Sequence, residues 1–142
     1  MDANNIIFQM PFDESNGSKV AFDYSQTRAD GVVQGAAFVA GKNGNAISFG
    51  GKDTCDVSKS VLPNMNVDFS MMMWVQSRDV ECGSPQKIIW VLNFDGMNNY
   101  VEIPIEATPG SWYSMAITRR GASFNIYVNS SLIKTVTKSG TL

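Results

Sequence analysis

Apolar and polar positions alternate most clearly between Ser111 and Ile133. Met115 and Ile117 alternate with Ala116 and Thr118, and Phe124, Ile126 and Val128 alternate with Asn125, Tyr127 and Asn129. A period of two over this length marks half-buried antiparallel strands, because successive strand side chains point to opposite faces. Arg120-Gly121 and Asn129-Ser130 interrupt the runs with turn chemistry. Further turn signals recur at short intervals: Asn16-Gly17, Asp30-Gly31, Gly41 to Gly44, Gly50-Gly51, Pro63-Asn64, Gly83 to Pro85, Asp95-Gly96 and Pro109-Gly110. The runs between them predict strands over 6–12, 20–22, 35–40, 46–49, 54–57, 69–76, 86–93, 99–105, 111–119, 123–128 and 132–137. Helical patterning is nearly absent, so the spacing predicts an all-β fold, a two-sheet antiparallel β-sandwich. Its predicted core takes one face of each strand: Phe8, Phe49, Trp74, Ile89, Met115, Ile117, Phe124, Ile126 and Val128.

The chain has 142 residues, which predicts a single domain over 1–142. The 44% of hydrophobic residues can fill one core. The net charge of −2 and the scattered Lys and Arg argue against a phosphate-binding surface, so no nucleic-acid partner is expected. Arg119-Arg120 is the only adjacent basic pair, and a turn is expected there. No segment approaches the 18 or so apolar residues of a membrane span, so no membrane insertion is expected. The polar start, Met-Asp-Ala-Asn-Asn, does not read as a signal peptide, which favours assembly inside a cell over secretion if Met1 is the natural start. Cys55 and Cys82 are the two cysteines. In a reducing compartment they read as two small, half-buried thiols, and a bridge needs Cα atoms within about 7 Å.

Five blocks follow one another along the chain: Met10-Pro-Phe-Asp-Glu-Ser-Asn-Gly17; Asp23-Tyr-Ser25 with Asp30-Gly31; Gly35-Ala-Ala-Phe-Val-Ala-Gly41-Lys-Asn-Gly44-Asn-Ala-Ile-Ser-Phe49-Gly50-Gly51; Phe69-Ser-Met-Met-Met-Trp74-Val75; and Trp112 through Thr118-Arg119 and on to Tyr127-Val128-Asn129. In this order they resemble the laminin-G-like domains of the concanavalin A-like lectin and glucanase superfamily. The first is similar to the family's opening strand and loop, and the second stands where its Asp- and Gly-rich loop falls. The third and fourth resemble two of its strand signatures, and the last its paired terminal strands. The resemblance implies a concanavalin A-like jelly roll. Family members continue into a further acidic strand, whereas this sequence stops at Leu142. The chain is then a fragment, or the sandwich is trimmed, or a neighbouring chain supplies the strand. An open, apolar sheet edge is an association site unless it is protected.

Candidate chemistry is sparse. Without histidine, the chain has no Ser-His or Cys-His arrangement and no histidine metal ligand. The nearest match to a glucanase acid motif is Glu102-Ile-Pro-Ile-Glu106. Its two glutamates lie four residues apart on one strand face, roughly 13 Å at about 3.3 Å per residue. Glycosidase carboxyl pairs stand about 5 to 9.5 Å apart, so no catalytic residue is assigned and no enzyme is expected. The resemblance implies a calcium site in the loop of Asp23, Ser25 and Asp30, since calcium takes six to eight oxygens. The competing reading is that these side chains make Asx-type turn hydrogen bonds. Trp90, Asn93, Asp95, Asn98, Asn99 and Tyr100 form the densest polar-aromatic stretch and are the candidate ligand residues, for a glycan. Met71, Met72 and Met73 share one strand, where methionine fills gaps in a sheet.

The expected function is a non-enzymatic binding or structural module. The resemblance and the polar start point to a phage virion component: a capsid decoration, tail or fibre protein. It would act through a protein partner, or through self-association along a sheet edge. The alternative is a carbohydrate-binding module of a larger secreted or cell-surface protein.

Overall fold

The computed structural model describes residues 5–58, 67–77, 86–93 and 100–137. The chain is all-β, with every strand pair antiparallel. It divides into two compact units, 1–63 and 64–142.

The first unit contains β1 (Val20–Ala21), β2 (Gly31–Gln34), β3 (Ala37–Ala40), β4 (Asn45–Ser48) and β5 (Thr54–Val57). β1, β2 and β5 form one sheet in the order β1-β2-β5, and β3 pairs with β4. Its core gathers Ala21, Val33, Ala36 and Phe38, flanked by Met10, Phe12, Ile47 and Cys55. The predicted strand over 6–12 is absent. Pro11 has no N–H to give a ladder, and Phe12 takes a left-handed φ of 61°. The backbone of this segment bonds mainly to side chains: Gln9 N–H donates to Asp23, and the Thr27 hydroxyl donates to Ile7 C=O. Gln9 C=O accepts from the Tyr24 backbone N–H at 2.8 Å. Gly31–Gln34, outside every predicted run, is the central strand of the three-stranded sheet, and its alternate residues Gly31 and Val33 are buried.

The second unit contains β6 (Phe69–Gln76), β7 (Gln86–Asn93), β8 (Tyr100–Ala107), β9 (Trp112–Arg120), β10 (Ser123–Val128) and β11 (Ser131–Thr137). A four-stranded sheet runs β11-β10-β9-β6, and β7 pairs with β8. The hairpin turns follow from the sequence. Asn129 and Ser130 both take positive φ, 48° and 67°, as the two central residues of a type I′ turn require. The Asn129 carboxamide also accepts from Ser114 N–H at 3.0 Å, which extends the β9–β10 ladder beyond the last strand residue. Gly121, at φ 56°, opens the two-residue β9–β10 loop and donates its N–H to Asp68 at 2.7 Å.

One face of the four-stranded sheet carries the core of this unit. Met115 and Ile117 of β9, Phe124 and Ile126 of β10, and Val136 of β11 pack with Ile103 and Ile105 of β8. Phe69, Met71, Val75 and Val128 line its margin. The Arg119 guanidinium covers the end of this core, 5.3 Å from the Phe124 ring centroid. Four of the predicted core residues, Met115, Ile117, Phe124 and Ile126, are buried, and Val128 packs at the margin. Three are not: Phe8, Phe49 and Trp74 are 39%, 49% and 44% exposed. Trp74 lies opposite Ser114 in the register, on the face away from the core, since Met71 and Val75 point the other way. The Ile89 side chain is outside the described residues.

Candidate functional site

The outer face of the four-stranded sheet is built by register. Met72, Ala116, Tyr127 and Leu132 stand side by side across all four strands. Met72 is 69% exposed and Leu132 55%. On one side of this apolar row lie Ser70, Thr118, Asn125 and Thr135, with the Thr135 hydroxyl donating to the Asn125 carboxamide at 2.8 Å. On the other side lie Trp74 and Ser114. These three rows hold no charged residue. Such a face suits a flat, uncharged partner. The methionine run divides accordingly: Met71 meets the core while Met72 is open to solvent. Residues 71–75 are apolar on both faces, so the pattern does not say which face is buried. That ambiguity put Trp74 in the predicted core.

β11 ends this sheet, with β10 its only strand neighbour among the described residues. The pairing slips between Ile126 and Tyr127, so Ile133 is the extra residue of a bulge. Leu132 and Ile133 stay about half exposed. Beside the bulge, a cleft of about 310 Å³ opens between β8 and β11. Ile103, Pro104, Ile105, Val128, Ile133 and Lys134 line it.

The loop of Asp23, Ser25 and Asp30 lies in the first unit and does draw its three residues together. The Asp23 carboxylate is fully buried. Its Oδ1 accepts from Gln9 N–H at 2.8 Å and Ser25 N–H at 2.9 Å. Its Oδ2 accepts from the Ser25 hydroxyl at 2.8 Å and Ala29 N–H at 2.9 Å. Asp30 Oδ1 accepts from Asp23 N–H at 2.8 Å. Burial alone would raise the Asp23 pKa, but the N–H donors of Gln9, Ser25 and Ala29 and the Ser25 hydroxyl together outweigh it and hold the carboxyl below its ordinary range. Both Asp23 oxygens are thus engaged by protein donors, and a calcium ion would have to displace them. Among the described residues, no group of three or more Cys, Asp or Glu is placed to hold a metal.

Of the polar-aromatic stretch, Asn93 and Tyr100 are register partners at the end of the β7–β8 hairpin, and Trp90 lies across from Ile103. Asp95, Asn98 and Asn99 lie outside the described residues. Glu102 and Glu106 are exposed on β8, across from Val91 and Lys87. Cys55 is a half-buried free thiol in β5. Burial first, then the Asp56 and Glu14 carboxylates, push its pKa up and keep it protonated. Cys82 lies outside the described residues. No helix among the described residues is long and apolar enough to cross a membrane. No family model, no curated protein and no solved structure matches the chain.

Proposed function

We propose that this chain is a non-enzymatic binding and structural module of the laminin-G-like, concanavalin A-like kind, working through protein contacts at a sheet edge. The observation that carries the reading is β11: an edge strand among the described residues, with Leu132 and Ile133 half exposed beside an apolar cleft. Main-chain groups on an edge strand supply affinity to any segment that pairs with them, and pockets beside it supply selectivity. The setting we infer is a phage virion, as capsid decoration, tail or fibre protein. Neighbouring proteins held in a fixed array cover the open edge, which frees the chain from sealing its own. The family resemblance of the five sequence blocks supports the jelly-roll assignment.

Sedimentation of the 142-residue chain, combined with amide exchange along 123–137, tests the edge. The outward amides of β11 should exchange fast in the free chain and slow when it is incorporated into a particle. A free monomer with slow exchange throughout β11 would overturn the reading.

A second reading, a carbohydrate-binding module of a larger secreted or cell-surface protein, is favoured by the sheet face. Trp74 and Tyr127 stand there among serine, threonine and asparagine with no charge in the rows, a composition suited to neutral sugars. Retention on an insoluble polysaccharide, lost in Trp74→Ala, would support it. Retention unchanged in Trp74→Ala and Tyr127→Ala would remove this face as the glycan site.

A further inference from the structure

The cleft between β8 and β11 has a sided chemistry. Its floor is continuous with the core, since Ile103 and Ile105 are 2% and 8% exposed. Both walls are edge strands: β8 pairs only with β7, and β11 only with β10, among the described residues. The β8 wall is a poor template for another strand. Pro104 has no N–H to donate, and Glu102 and Glu106 flank it. The β11 wall keeps its N–H groups and carries Lys134, the one charged residue lining the cleft.

We propose that the cleft takes an extended, acidic-apolar segment of a partner protein, which adds as a strand to β11. Apolar side chains at alternate positions of that segment face Ile103, Ile105 and Val128, and a carboxylate between them sits beside Lys134. The proposal rests on the edge reading above and narrows it to one kind of partner. A second copy of this chain is the weaker occupant. Lys134 is the middle residue of the seven-residue strand Ser131–Thr137. A two-fold symmetric antiparallel pairing of two copies of β11 that uses most of the strand brings the two Lys134 side chains opposite or diagonal to each other. Like charges so placed on a sheet repel.

The probe is a blocked six-residue peptide of alternating valine and threonine, with one inward valine replaced by glutamate, and a control peptide with lysine at that place. Both are titrated into the isotope-labelled full chain and followed by amide shifts along β11. The glutamate peptide should bind tighter by about fivefold, the scale of one partly exposed ion pair. Lys134→Glu should reverse the preference, and Lys134→Gln should abolish it. Equal binding of both peptides to the wild-type chain would sink this inference while leaving the edge reading intact. Binding of neither peptide, with β11 amides slow to exchange, would sink both. Dimerisation through β11 that excludes the peptides would make a second copy the occupant and overturn the proposal.

Discussion

Four hydrogen bonds converge on the buried Asp23 carboxylate: one ties Gln9 to it and three close the 23–29 loop. Asp23→Asn keeps the shape but turns one oxygen into a donor that faces at least one backbone N–H. A hydrogen bond to a charged acceptor contributes about 1.5–3 kcal/mol, and an orphaned buried donor costs about 1–3 kcal/mol. The two overlap, so Asp23→Asn should cost about 3 kcal/mol. Asp23→Ala strands three N–H groups and should cost about 4 kcal/mol or more, with water entering the vacated space to satisfy part of the loss. The pH dependence is a second check. The folded-state pKa lies below the ordinary 3.8, so the carboxylate's contribution is fully present above that value and is lost as pH falls through the folded-state pKa. Urea denaturation of wild type and Asp23→Asn should therefore show a constant gap from about pH 7 to about pH 5, narrowing toward about pH 2. Amide exchange at Ser25 and Ala29 should speed up in the variant and locates the effect. A gap under about 1 kcal/mol at neutral pH, or one that does not narrow in acid, would refute the clamp.

Phe124→Ala removes a fully buried ring under the Arg119 guanidinium and should cost about 3–5 kcal/mol in denaturant titration, whereas the half-exposed Trp74→Ala should cost clearly less. The reverse order would invert the faces assigned to the four-stranded sheet. Gly44 sits at φ 66°, and a Cβ there would run into the Asp13 carboxylate, which accepts from Asn45 N–H at 2.8 Å. Gly44→Ala should therefore destabilise by about 1 kcal/mol or more beyond Gly51→Ala, a left-handed position with open space around it. Equal melting temperatures for the two variants would show that the Asp13 contact is not formed.

The sequence alone determined the strands whose runs of strand-forming residues lie between turn signals. Thr54–Val57, Phe69–Gln76, Gln86–Asn93 and Ser123–Val128 stand where the pattern puts them. Gly121 and Asn129-Ser130 bound Ser123–Val128 because those backbones must turn left-handed. The all-β class is local in the same sense. Period-two alternation, however, is symmetric between the faces of a strand. Only the hairpin that packs Ile103 and Ile105 onto the sheet decided that Phe124 is inside and Trp74 outside. Tertiary pairing also decided the fate of 6–12, an apolar run whose N–H and C=O groups found Asp23 and Thr27 before a partner strand. The candidate site divides in the same way. Asp23, Ser25 and Asp30 were legible as one loop. The row Met72, Ala116, Tyr127 and Leu132 was not, because its members come from four strands that only hydrogen-bond register brings side by side.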